Sequence, residues 1–142
     1  MAKVADWWAA ARSERGDSPT RGLKVKQKLL RMIFEVSHST LPDEFGGFLK
    51  KDKRGVIAKL VVLPGTYSNE QSATYNLWNK PIDYDVVGTV HSHPSSIPLP
   101  SDADLHLFER VGDFHIIAAE PFDEEHWVAY DRAGRVVAVE VV

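Results

Sequence analysis

Cysteine is absent from the 142 residues. That excludes disulfides, thiolate zinc sites and any hydrolase that attacks with a thiolate. Long apolar runs are absent as well. None approaches the ~20 residues a membrane helix needs, so no membrane span is expected. The N-terminus has no basic stretch followed by an apolar one, as a signal peptide would. Nor is there an excess of positive charge: the formal net charge is -3, which gives no electrostatic reason to expect a nucleic-acid partner. No internal repeat or low-complexity segment stands out. What is present is the composition of a soluble globular protein, of a length that one core can serve. The expected location is the cytoplasm.

Two regions differ in pattern. Val4, Trp7, Trp8 and Ala11 fall at i, i+3, i+4 and i+7, a short helical stripe. Arg12 to Gly22, with Gly16, Pro19 and Gly22, reads as a linker. Residues 1–22 are therefore expected to form an N-terminal extension and 23–142 the folded domain. A helix this short is marginal in water by itself. It docks on its own domain, packs on a second copy in a homodimer, or takes another partner. Docking on its own or a sister domain is the favoured reading.

Within the domain, Lys24 to Ser39 is expected as an amphipathic helix. Val25, Leu29, Met32, Ile33 and Val36 share one face, and Pro42 stops it. His38 near its end is assigned to the last carbonyls or the helix dipole. Strands are expected at Glu44 to Leu49 and Val56 to Leu63, around a charged turn. Pro64 to Asp85 is less regular, with a short strand near Ala73 to Leu77. A strand from Val86 to His93, a helix from Ser101 to Val111 and a strand from Phe114 to Ala119 follow. Trp127 to Tyr130 and Val136 to Val141 flank the turn Asp131-Arg132-Ala133-Gly134 as a hairpin. His106 is a surface residue, about 200° around its helix from Asp104. His115 is read as a hydrogen-bonded sheet histidine. This order gives an α+β fold, a mixed sheet with helices packed on it.

The chemistry concentrates in Gly88 to Asp104. An apolar run ends in His91-Ser92-His93, and the two-residue period of a strand points both imidazoles to one side. Pro94 cannot donate to a ladder and ends the strand. A proline-rich loop leads to Ser101-Asp102-Ala103-Asp104, a helix N-terminus with Ser101 or Asp102 as cap. Asp104, in the first turn, can swing back as a third ligand. Two histidines and one carboxylate leave a tetrahedral zinc open to water, the catalytic type of site.

His-x-His-Pro, six residues and then Ser-x-x-Asp resembles the signature of the JAMM (MPN-plus) metalloproteases. Their pattern adds an upstream glutamate in Pro-x-Glu-x-x-Gly, and Pro42-Asp43-Glu44-Phe45-Gly46-Gly47 supplies it. The resemblance spans roughly Lys24 to Val142. It implies a curved, mostly antiparallel sheet between two helices, related to the cytidine-deaminase fold. A deaminase itself is not expected, because its His-x-Glu and Pro-Cys-x-x-Cys elements are missing. The resemblance also implies Zn2+ on His91, His93 and Asp104, Glu44 as general base and Ser101 as an oxyanion donor. The implied activity is hydrolysis of the isopeptide or peptide bond after a ubiquitin-like modifier. Many such enzymes use thiols; this chain cannot. The helix at 101–111 runs almost straight into the next strand and leaves no room for the second insertion of the eukaryotic deubiquitinases. The compact layout is similar to archaeal and bacterial members, whose implied partner is a ubiquitin-like or sulfur-carrier protein ending in Gly-Gly, with its lysine conjugates. Two alternatives stay open: processing of a sulfur carrier or small peptide conjugates, and a non-catalytic scaffold of the same fold.

Overall fold

The computed structural model describes residues 22–62 and 85–142. The expected N-terminal helix, most of its linker and the strand near 73–77 lie outside the described residues. In chain order the elements are β1 (Lys24–Val25), α1 (Gln27–Thr40), β2 (Gly46–Lys51), β3 (Ile57–Val62), β4 (Val86–His93), α2 (Asp102–Arg110), β5 (Phe114–Ala119), β6 (Trp127–Tyr130) and β7 (Glu140–Val141).

The strands form one mixed sheet in the order β6-β5-β4-β2-β3-β1-β7. β2 runs antiparallel to β3 and β4, β5 antiparallel to β6, and β4 parallel to β5. β6 and β7 stand at opposite ends of this order. Yet Val137 N donates to Ala129 O of β6, and Glu140 already pairs with Lys24 of β1. Three residues of chain span at most ~11 Å, so the two ends of the sheet lie close together and the sheet is curled.

Alternation along the strands sorts the two faces. Val90, Ile116, Ala118, Trp127 and Ala129 join the larger core, which takes in Leu29, Leu30, Ile33 and Phe34 of α1. Ile117, Val128 and Tyr130 face the other way and pack with Phe108 of α2. His91 is in register with Ile117, and Thr89 with His115; in a parallel pair, opposed residues share a face. The histidines of β4 therefore look toward α2.

Close backbone approach is built in at Gly88 and Gly47. A Cβ on Gly88 would lie 1.5 Å from Phe114 O, and one on Gly47 would lie 2.6 Å from Val61 O. Gly47, the second glycine of the pair after Glu44, thus admits the neighbouring strand β3.

Three expectations change. Val25 belongs to β1, not to the first helix. It is fully buried between β3 and β7, and Lys26 N donates to Ile57 O at 2.9 Å. No side chain caps α1 at Lys26, so sheet pairing decides where the helix starts. The buried stripe of α1 is also rotated: Leu30, Phe34 and Ser37 are inside, while Met32 is exposed. Ser37 tolerates burial because its hydroxyl donates to Ile33 O at 2.7 Å. Last, the C-terminal hairpin is short. Asp131 Oδ1 accepts from Ala133 N and Arg135 N, each at 2.9 Å, which fixes the turn. Pairing stops after Val136 and Val137, and the chain crosses to β1. His38 is exposed and meets the ring of Phe122 edge-on, with centroids 5.1 Å apart.

Candidate metal centre

The loop from Pro94 to Pro100 joins the two ligand-bearing elements, and three hydrogen bonds hold it. Glu120 N donates to Ser95 O at 2.8 Å, the Tyr130 hydroxyl donates to Pro98 O, and His93 Nδ1 lies 3.2 Å from Ile97 O. A carbonyl only accepts, so the last contact places the His93 proton on Nδ1 and leaves Nε2 as a lone pair. Ser101 then caps α2. Its hydroxyl oxygen accepts from Asp104 N at 3.1 Å, and Asp104 Oδ2 accepts from Ser101 N at 2.9 Å, a complete capping box. The box fixes the rotamer of Asp104 and turns its carboxylate back toward β4. Capping uses one lone pair of the Ser101 hydroxyl, whose proton stays available to donate.

These local rules bring three sequence-predicted ligands together. His91 Nε2 is 2.9 Å from Asp104 Oδ1, and His93 Nε2 is 3.4 Å from Asp104 Oδ2. The ligand atoms lie within 4.8 Å of one another, and all three residues are buried. Among the described residues, His91 Nε2 makes no hydrogen bond despite its closeness to Asp104, nor does His91 Nδ1. A buried polar atom in that state costs free energy. A divalent cation between Nε2 and the carboxylate would offset the cost. Imidazole nitrogen and carboxylate oxygen are also the donor set of zinc sites. The residues fit a metal.

Burial pushes the His93 imidazole down, but the Asp104 carboxylate beside it and the Ile97 carbonyl outweigh burial, so its pKa lies above the ordinary value. A proton therefore competes with a metal for His93 Nε2, and metal affinity falls as the pH is lowered. Glu44, nearly buried, adds to the same rise. The upstream carboxylate, just ahead of β2, therefore acts on the charge of His93.

One contributor carries no signal in the motif. Tyr130, Phe108 and His115 stack beneath the centre, with Phe108 centroids 5.8 Å from Tyr130, 4.2 Å from His115 and 6.5 Å from His91. Only the alternation of β5 and β6 hinted at this face. His115 is the sheet histidine expected. Its Nδ1 accepts from Thr89 N at 3.3 Å and lies 2.8 Å from Thr89 Oγ1, while Nε2 lies 3.3 Å from Gly112 O. A proton on Nδ1 would face a donor, and burial pushes the pKa down to about 3. Between the ordinary value of 6.5 and about 3 the unfolded chain binds a proton that the folded chain refuses. Stability is therefore fully present above 6.5 and is lost as the pH falls through that window. Melting temperatures measured across it should fall more steeply for the wild type than for His115→Gln. Equal slopes would show that His115 takes up its proton in the fold. His106 is exposed on α2, away from the centre.

Residues 26–132 match the family of prokaryotic homologues of the JAB domain. A relative from Haloferax volcanii described as a probable metalloprotease is 36% identical, over 80% of this chain and 75% of its own length. A JAB1/MPN domain protein from Archaeoglobus fulgidus superposes with a TM-score of 0.70 at 41% identity, covering 84% of this chain and 99% of that one. A structure reported as JAMM, a metalloprotease-like zinc site in the proteasome and signalosome, gives 0.68 at 38% identity, covering 85% and 98%. The chain belongs to the prokaryotic JAB-domain family of JAMM-type metalloproteases.

Proposed function

We propose that this chain is a zinc-dependent isopeptidase that cuts the bond after the Gly-Gly C-terminus of a ubiquitin-like or sulfur-carrier protein and frees it from lysine conjugates. The observation that carries the reading is the convergence of two imidazoles and a carboxylate, with a second buried carboxylate, Glu44, whose charge acts on His93.

His91, His93 and Asp104 are the residues that would hold zinc. When bound, zinc supplies a Lewis acid that lowers the pKa of water from ~16 toward ~7, giving a nucleophile at neutral pH. Glu44 accepts the proton of the attacking water and passes it to the lysine amine, which leaves only when protonated. The Ser101 O–H, left over from capping, donates to the carbonyl oxygen as it gains charge. The stacked rings of Phe108, His115 and Tyr130 exclude water from beneath His91.

Further features support an extended protein tail as substrate. Among the described residues, β3 pairs with β1 only at Ile57, so Ala58 to Val62 have no ladder on that side. A tail can add there by backbone hydrogen bonds. Ile97 and Leu99, both exposed on the loop between His93 and Ser101, offer apolar contacts beside the centre. α2 ends at Arg110 and β5 begins at Phe114, a compact connection that suits a prokaryotic modifier. The zinc-loaded protein should release the free modifier from Gly-Gly lysine conjugates, with the cut bond identified by mass. Cleavage of linear fusions or small peptides alone would redirect the assignment to carrier processing, and no cleavage of either would reject it.

A further inference from the structure

We infer that Ser92, between the two histidines, is a positioning residue that sets the place of Glu44 by binding the backbone beside it; the inference rests on the general-base role given to Glu44 above. The antiparallel ladder between β2 and β4 ends at the pair Gly46↔His91. One step further along, Phe45 and Ser92 are joined by one backbone bond that continues the ladder and by one bond of a different kind. Ser92 N donates to Phe45 O at 3.1 Å, and Phe45 N donates to the Ser92 hydroxyl oxygen at 2.9 Å. A side chain here takes the part that a strand carbonyl plays in the ladder.

The position of that hydroxyl matters. Phe45 N–H belongs to the peptide that links Glu44 to Phe45, so the Ser92 hydroxyl holds the plane attached to the Cα of Glu44. Ser92 and Phe45 are both buried, and no solvent stands ready to replace the acceptor. The strand period gives the arrangement its economy. His91 and His93 point to one face of β4 and Ser92 to the other. Three consecutive residues thus carry two metal ligands on one face and the anchor of the base on the opposite one. A ladder would bind this segment through backbone alone, indifferent to the side chain at 92. The observed bond makes the place of Glu44 depend on a hydroxyl.

Ser92→Ala removes that acceptor with almost no change of volume and touches no ligand. A small displacement of a catalytic group costs on the order of 10–10²-fold in rate, so kcat should fall by that factor on the Gly-Gly lysine conjugate that the wild type cleaves. KM and zinc affinity, measured by competition with a chelator, should stay near wild type. Hydrogen exchange at the Phe45 amide should accelerate, whether or not zinc is present. The decisive comparison is a double-mutant cycle. If Ser92 acts through Glu44, Ser92→Ala adds nothing to the residual rate of Glu44→Ala. A further loss in that background, a loss of zinc affinity, or an unchanged kcat with an unchanged Phe45 amide would each overturn the inference. An active wild type with an indifferent Ser92→Ala rejects the clamp alone, whereas a zinc-loaded wild type that cleaves nothing rejects the reading of the site.

Discussion

Glu44→Ala should keep the fold and the metal while losing nearly all turnover. Glu44 is not one of the three converging ligands, so its removal leaves their geometry alone. It comes ahead of β2 and contributes no ladder pair, so the sheet does not need its side chain. A general base is worth ~10²–10⁴-fold, and this one also carries the proton to the leaving amine, which places the loss at the upper end. Ser101→Ala should lose less, on the order of 10²–10³-fold as one oxyanion donor, with some helix stability lost as well because the same hydroxyl caps α2. The measurement is turnover at matched zinc content. A metal-loaded Glu44→Ala that is fully active would remove the proposed mechanism.

Replacing His91 and His93 together by alanine should abolish metal binding. The wild type is expected to hold about one zinc per chain, and Asp104 by itself is a single carboxylate already engaged by Ser101 N at 2.9 Å. A metal that binds only the folded state also raises its stability by mass action. A chelator should therefore lower the melting temperature of the wild type and leave that of the double variant unchanged. Elemental analysis decides the point: zinc retained in the double variant would mean that the metal sits elsewhere.

Much of this protein is written in local pattern. The two-residue period of β4 puts His91 and His93 on one face. Ser101 and Asp104 stand at the spacing of a capping box, and both features hold wherever the strand and helix are placed. The spans of β4, β5 and β6 are legible for the same reason, since apolar runs bounded by proline and turn residues admit few other readings. The family signature follows from those spacings and from Glu44.

Other features depend on what lies far away in the chain. Val25 carries helical periodicity, but β7, more than a hundred residues later, makes it a strand. The rotation of α1 that hides Leu30 and Phe34 is set by the curled sheet against which it packs, and a helical stripe alone does not tell a half-exposed Met32 from a buried Phe34. The C-terminal strand breaks off its hairpin because curling brings β1 within reach. The stacking of Tyr130 on Phe108 and the grip of Ser92 on Phe45 join residues 22 and 47 positions apart. Residue types and their spacing along the chain determined which side chains can bind a metal and work on water. Only the tertiary structure decided how those side chains are aimed, because aiming requires partners that packing supplies and sequence neighbours do not.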